Sequence, residues 1–123
     1  MGAGIHELAQ LGNLSATARE TAILTVGAHF GASFEQYAHE RKAWSIGCLT
    51  KAQTEAIRRG EKPIADKGVN DEKGEKDMSI AWDVANALCT KRGPLEERLW
   101  QEAVVVLGPQ GVMALVQYVG MYM

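Results

Sequence analysis

Four side chains between Glu20 and His39 are of the kinds that move protons: Glu20, His29, Glu35 and His39. An imidazole titrates near neutrality, and a carboxylate beside it orients the ring and stabilises its protonated form. Glu35 and His39 stand four residues apart, which on a helix stacks them on one face. Glu20 and His39 each lie about ten residues from Phe30-Gly31. A helical hairpin turning there makes its two arms antiparallel neighbours and brings Glu20 beside His39. Two carboxylates and an imidazole then converge in an otherwise mostly apolar hairpin. Buried together, the carboxylates are expected to have raised pKa values, and the set to titrate as a coupled unit. The plainer alternative is an i,i+4 surface pair of Glu35 and His39 worth roughly 0.2–0.5 kcal/mol. Glu20 would then only favour a helix dipole, and His29 would cap the end of its helix or line the pocket.

The elements that must position these groups are helices. Ser15 is an N-cap with Leu14 as a staple before it, and Ile23, Leu24, Val26 and Gly27 follow as an inward face. Gly27 and Ala28 permit close approach of another helix, and Gly31 supplies the turn. A second helix over 32–46 carries Phe34, Tyr37, Ala38 and Trp44 on one stripe and Glu35, His39 and Ile46 on another. Glu40, Arg41 and Lys42 read as solvated, and Gly47 as the helix stop. Thr50 caps a third helix ending at Gly60. The run from Arg58 to Asp77 is almost all charged or turn-forming, a solvated loop of mixed sign.

Met78, Ala81, Trp82, Ala85, Leu88 and Cys89 then mark an amphipathic helix from about Glu75 to Lys91, stopped by Gly93-Pro94. Glu96 to Leu107 is a further helix with Leu99, Ala103, Val106 and Leu107 inward. Gly108-Pro109 stops it and starts the last, Gln110 to Tyr122, in which Val112, Met113, Leu115, Val116, Val119 and Met121 leave little polar face. So apolar a helix in so small a protein suggests a subunit interface. A short piece over 4–11 bears Ile5, Leu8 and Leu11 on one side, with His6 at the surface. No strand pattern competes. The expectation is all-α: a compact bundle of about six helices forming a single domain over residues 1–123.

Bulk properties narrow the function classes. A net charge of -2 and a pI near 5.9 give no basic footprint for nucleic acid. No run of 18 apolar residues is present, so no membrane span is expected, and the N-terminus lacks a signal-peptide core. Cys48 and Cys89 lie 41 residues apart, without metal or redox spacing. Buried reduced thiols and a cytoplasmic location fit them. No recognised ligand spacing builds a metal site from Glu20, Glu35 and His39.

Leu14-Ser15, Arg19-Glu20, Ala22-Ile23-Leu24 and Val26, then His29-Phe30-Gly31-Ala32, Phe34-Glu35 and His39, then Gly47-Cys48-Leu49-Thr50, form a pattern. So do Leu107-Gly108-Pro109-Gln110-Gly111, Leu115-Val116 and Val119-Gly120-Met121-Tyr122. Together they resemble the carboxymuconolactone decarboxylase family, which includes the alkylhydroperoxidase D proteins. The resemblance spans Leu14 to Tyr122 and is closest between Arg19 and Thr50. It implies an alkylhydroperoxidase D-like helical subunit that assembles into trimers or hexamers, with sites near subunit contacts.

In the peroxidase branch of that family the motif is a glutamate, then C-x-x-C, then a histidine three residues on. Glu20 and His39 fall at the glutamate and histidine, but Ala32 and Glu35 stand where the cysteines would be. Without a thiolate nucleophile and its resolving partner, thiol-disulfide peroxidase chemistry is not expected. The decarboxylase-like branch has an aromatic-Glu pair before the histidine, matched by Phe34-Glu35 and His39, with Gln36 where a tryptophan commonly follows. What this implies is cofactor-free chemistry on a small carboxylated lactone or oxidised ring. His39 would be the acid/base, Glu20 would orient it or shuttle protons, and Glu35 would be a second relay carboxylate. His29, Phe34 and Tyr37 would contact the substrate. The competing class is an oligomeric helical protein that keeps the fold without turnover, or a peroxidase relative that has lost its cysteines.

Overall fold

The computed structural model describes residues 14–91 and 93–123. The short piece expected over 4–11 lies outside them. Among the described residues there are five helices and no strand.

Helix α1, Ala16–Phe30, is the one every other element leans on. Ser15 caps it in extended conformation, its hydroxyl accepting from the Ala18 N–H at 3.1 Å. The same hydroxyl donates to Asp77 Oδ2 at 2.8 Å, tying the start of α1 to a helix far along the chain. Gly31 ends α1 at φ 65, where the missing Cβ removes the left-handed penalty. Helix α2, Ser33–Ile46, then folds back against α1. A Cβ added at Gly27 would sit 3.0 Å from Gln36 Cγ, so the small residue at this crossing sets how closely the hairpin arms approach. Gly47, at φ 83, closes α2.

Helix α3, Lys51–Arg58, opens with a full capping box. Gln53 N–H donates to Thr50 Oγ1 at 3.0 Å, and Thr50 N–H to Gln53 Oε1 at 2.8 Å. The Gln53 amide also holds the segment that follows, donating to Ile64 O at 2.9 Å and to Asn70 Oδ1 at 2.6 Å. Asn70 in turn donates to Cys48 O at 3.1 Å. The charged run is therefore not solvated throughout: Asn70 and Asp77 are buried. Helix α4, Glu72–Thr90, begins earlier than its apolar stripe suggests, because Asp71 accepts from the Gly74 N–H and acidic Glu72 and Glu75 suit a first turn.

The two C-terminal helices expected from the sequence meet at Gly108, whose φ 76 and ψ 163 are non-helical; with that joint between them they are numbered together as α5, Glu97–Tyr122. Taken together across the joint, the two halves are by length and composition apolar enough to cross a membrane. A third of their most apolar window is packed inside the protein (33% buried).

One apolar cluster joins α1, α4 and α5 through Ala18, Ala22, Val26, Ala81, Val84 and Leu115. A second joins α1, α2, α3 and α4 through Leu24, Ala43, Ile57 and Met78, with Cys48 and Leu49 from the loop between α2 and α3. Shared between both, α1 is dry along most of its length, and that is the medium in which Glu20 sits.

One expectation for α2 fails, and its aromatic stripe lies mostly outside. Phe34 (75% exposed), Tyr37 (56%) and Ala38 face outward, and of that stripe only Trp44 turns partly in, its indole donating to Thr54 Oγ1 at 3.1 Å. Glu40, grouped with Arg41 and Lys42 as solvated, is buried because Arg58 of α3 closes on both its oxygens. Such a pair carries its own hydrogen bonds into the interior.

Candidate functional site

Glu20 is on the second turn of α1, on the side that meets α2, and its side chain is completely buried. A lone carboxylate there would be strongly disfavoured. Both its oxygens are occupied: His39 Nδ1 lies 2.6 Å from Oε1, and Arg19 Nε donates to Oε2 at 2.9 Å. Burial acts to raise the Glu20 carboxyl, but the bonds from His39 and Arg19, with their charges, outweigh it and hold it below its ordinary value. The expected rise is thus reversed, because the carboxylate is bracketed by two donors.

An ionised carboxylate only accepts, so the proton between the two groups belongs to His39 Nδ1. In the neutral ring the basic nitrogen is then Nε2, which has no hydrogen-bond partner among the described residues. The His39 side chain is 15% exposed, enough for one edge of the ring to meet a ligand while the other stays dry.

A third element reaches this point. The ring of Tyr122, from the last turn of α5, stands edge-on to His39, with centroids 5.6 Å apart and planes at 87°. Burial first, then the charge of Glu20, the neighbouring Tyr118 and the charge of Glu35, push the Tyr122 phenol above its ordinary value. Neither Arg19 nor Tyr122 stands out as a site residue from spacing. Adjacent helical residues do not face one another, and nothing in the pattern of α5 ties its final turn to α1. The one available signal is the Arg-Glu dipeptide at 19–20.

The remaining candidates are dispersed. Glu35 is half-buried one turn before His39 and makes no hydrogen bond to it among the described residues; its charge is felt at Tyr122 instead. His29 is exposed and bonds Asn86 Oδ1 through Nε2 at 2.9 Å. It lines a separate cavity of about 40 Å³ with Thr25, Trp82 and Asn86. Phe34 is at the surface, and Tyr37 lies under the Arg41 guanidinium, 3.7 Å from its ring centre. So α1 and α2 bring Glu20 to His39, while His29, Phe34 and Tyr37 lie apart from the pair.

Cys48 is buried, and burial followed by the charge of Glu20 raises its thiol, which keeps it a poor nucleophile. Among the described residues no group of three or more His, Cys, Asp and Glu side chains gathers at metal-binding range. Larger cavities lie elsewhere: one of about 620 Å³ between α4 and α5, floored by Ile80, Val105 and Val106, and one of about 360 Å³ beside Leu88, Leu95, Trp100 and Val116. No family model, curated protein or solved structure matches the chain.

Proposed function

We propose that this protein is a cofactor-free, decarboxylase-like proton-transfer enzyme of the carboxymuconolactone decarboxylase type, with an alkylhydroperoxidase D-like fold. The observation that carries the reading is the buried Glu20 bonded at 2.6 Å to His39 Nδ1, with Nε2 left free. That arrangement fixes the tautomer and stabilises the imidazolium, as a carboxylate does behind any imidazole acid/base. On a small carboxylated unsaturated lactone, the bond to the carboxylate carbon breaks and CO2 leaves. The electron pair enters the conjugated ring as a dienolate, and the His39 imidazolium returns one proton to carbon. Solvent then reprotonates Nε2. Glu20 holds the ring and Arg19 holds Glu20; Glu35 relays protons from the outer side.

Oligomerisation belongs to the same reading. Phe34, Tyr37, Met113 and Met121 are all more than half exposed, and a trimer or hexamer would cover such side chains and add walls near His39. The test is a screen of carboxylated lactones for CO2 release and proton uptake, with subunit number measured by light scattering. Wild-type turnover that falls at least a hundredfold in both His39→Gln and Glu20→Gln supports the reading. Undiminished turnover in folded His39→Gln removes it.

A second reading, a non-catalytic helical scaffold, is favoured by the position of the 620 Å³ cavity, which is lined by α4 and α5 and not by His39. Ligand capture in that groove with no turnover on any lactone would select it.

A further inference from the structure

The Tyr122 hydroxyl has no hydrogen-bond partner among the described residues, although its residue is half-buried and its ring packs on His39. Water reaches that hydroxyl, so a ligand oxygen can take the water's place. The groups facing it are Glu20 and Arg19 from α1, Glu35 and His39 from α2, and Tyr118 from its own helix. Arg19 and His39 are committed to the two Glu20 oxygens, and Glu20 and Glu35 only accept when ionised. A ligand oxygen gaining negative charge beside His39 therefore meets a neutral, uncommitted phenol there, and the one whose ring packs on His39 comes from the last turn of α5.

We propose that Tyr122 is a further catalytic residue of this site, its phenol donating a hydrogen bond to the carboxylate or enolate oxygen of a small planar ring ligand whose carbon faces His39. The inference rests on the proton-transfer reading above. A neutral phenol stabilises a developing oxyanion without adding charge, and a phenol is protonated at neutral pH. The donor role also explains what the last turn of an otherwise apolar helix contributes.

The experiment uses 2-furoate, a planar ring carboxylate, as the probe. Its binding is followed by NMR on protein labelled at tyrosine Cζ and at histidine nitrogen, in wild type, Tyr122→Phe and His39→Gln. Tyr122→Phe removes one oxygen and keeps the ring, so the fold is retained, and circular dichroism checks it. The expected result is a wild-type complex that shifts both Tyr122 Cζ and His39. Binding should be about tenfold weaker in Tyr122→Phe, as for one lost hydrogen bond, and weaker in His39→Gln. Binding that depends on His39 but not on the Tyr122 hydroxyl, with Tyr122 Cζ unmoved, overturns this inference and leaves the dyad standing. No binding to wild type, or binding indifferent to both variants, overturns the two together.

Discussion

Glu20 and His39 are 19 residues apart in the chain and 2.6 Å apart in space, and the carboxylate between His39 and Arg19 is entirely removed from solvent. Its folded-state pKa is lowered from the unperturbed 4.5. The stabilisation this gives is complete above that unfolded value and is lost as pH falls through the lower folded one. In Glu20→Gln the acid limb of stability should flatten, while stability near neutrality drops by about 1–3 kcal/mol as two donors lose their charged partner. Urea midpoints across the acid range read both effects. A wild type and variant with parallel pH curves would contradict the pairing.

Ser15 and Asp77 form another long tie, at 2.8 Å, and Lys73 completes the carboxylate at 2.6 Å. Ser15→Ala removes a cap and should cost about 1 kcal/mol. Asp77→Ala should cost about 2 kcal/mol. A double-mutant cycle should show coupling of about 0.5–1 kcal/mol between them; strict additivity would mean that the bond does not contribute.

Arg58→Ala strips the cover from Glu40, which is 3% exposed. Leaving that carboxylate buried without its partner should destabilise the protein by about 1–3 kcal/mol, and Glu40→Gln in the same background should restore part of the loss. Chemical denaturation of the wild type and the two variants checks the order.

Burial raises the thiols of both Cys48 and Cys89. At neutral pH both should react with an aromatic disulfide reagent far more slowly than a free cysteine does, and at the free rate in denaturant. A fast thiol in the native protein would place one of them at the surface.

Much of the hairpin was legible because its punctuation is local. Ser15, Gly31, Gly47 and Thr50 each announce a helix end by their own chemistry, and a turn between two helices fixes which residues oppose each other. The pairing of Glu20 with His39 follows from counting outward from Gly31. What spacing cannot carry is contact from a distant element. Arg58 hides Glu40, and Tyr122 comes from the last turn of the chain's final helix. Nor does periodicity say which face of α2 is inside: the face of Gln36, Glu40 and Ala43 is buried, and the aromatic face of Phe34 and Tyr37 is outside.

Gly108 adopts φ 76 and ψ 163, a conformation open essentially to glycine alone. Gly108→Ala should lower stability by about 1–3 kcal/mol, measurable by thermal unfolding, although an added Cβ would meet nothing within 4 Å. A neutral substitution would mean that the joint relaxes into continuous helix.

That joint also isolates one half of α5 from the other in rotation. In an unbroken helix each inserted residue turns everything downstream by about 100°. Here the run before Gly108 and the run that carries Tyr122 keep separate azimuths. Insertions and deletions can accumulate in the first half, over the α4 groove, without swinging Tyr122 away from His39.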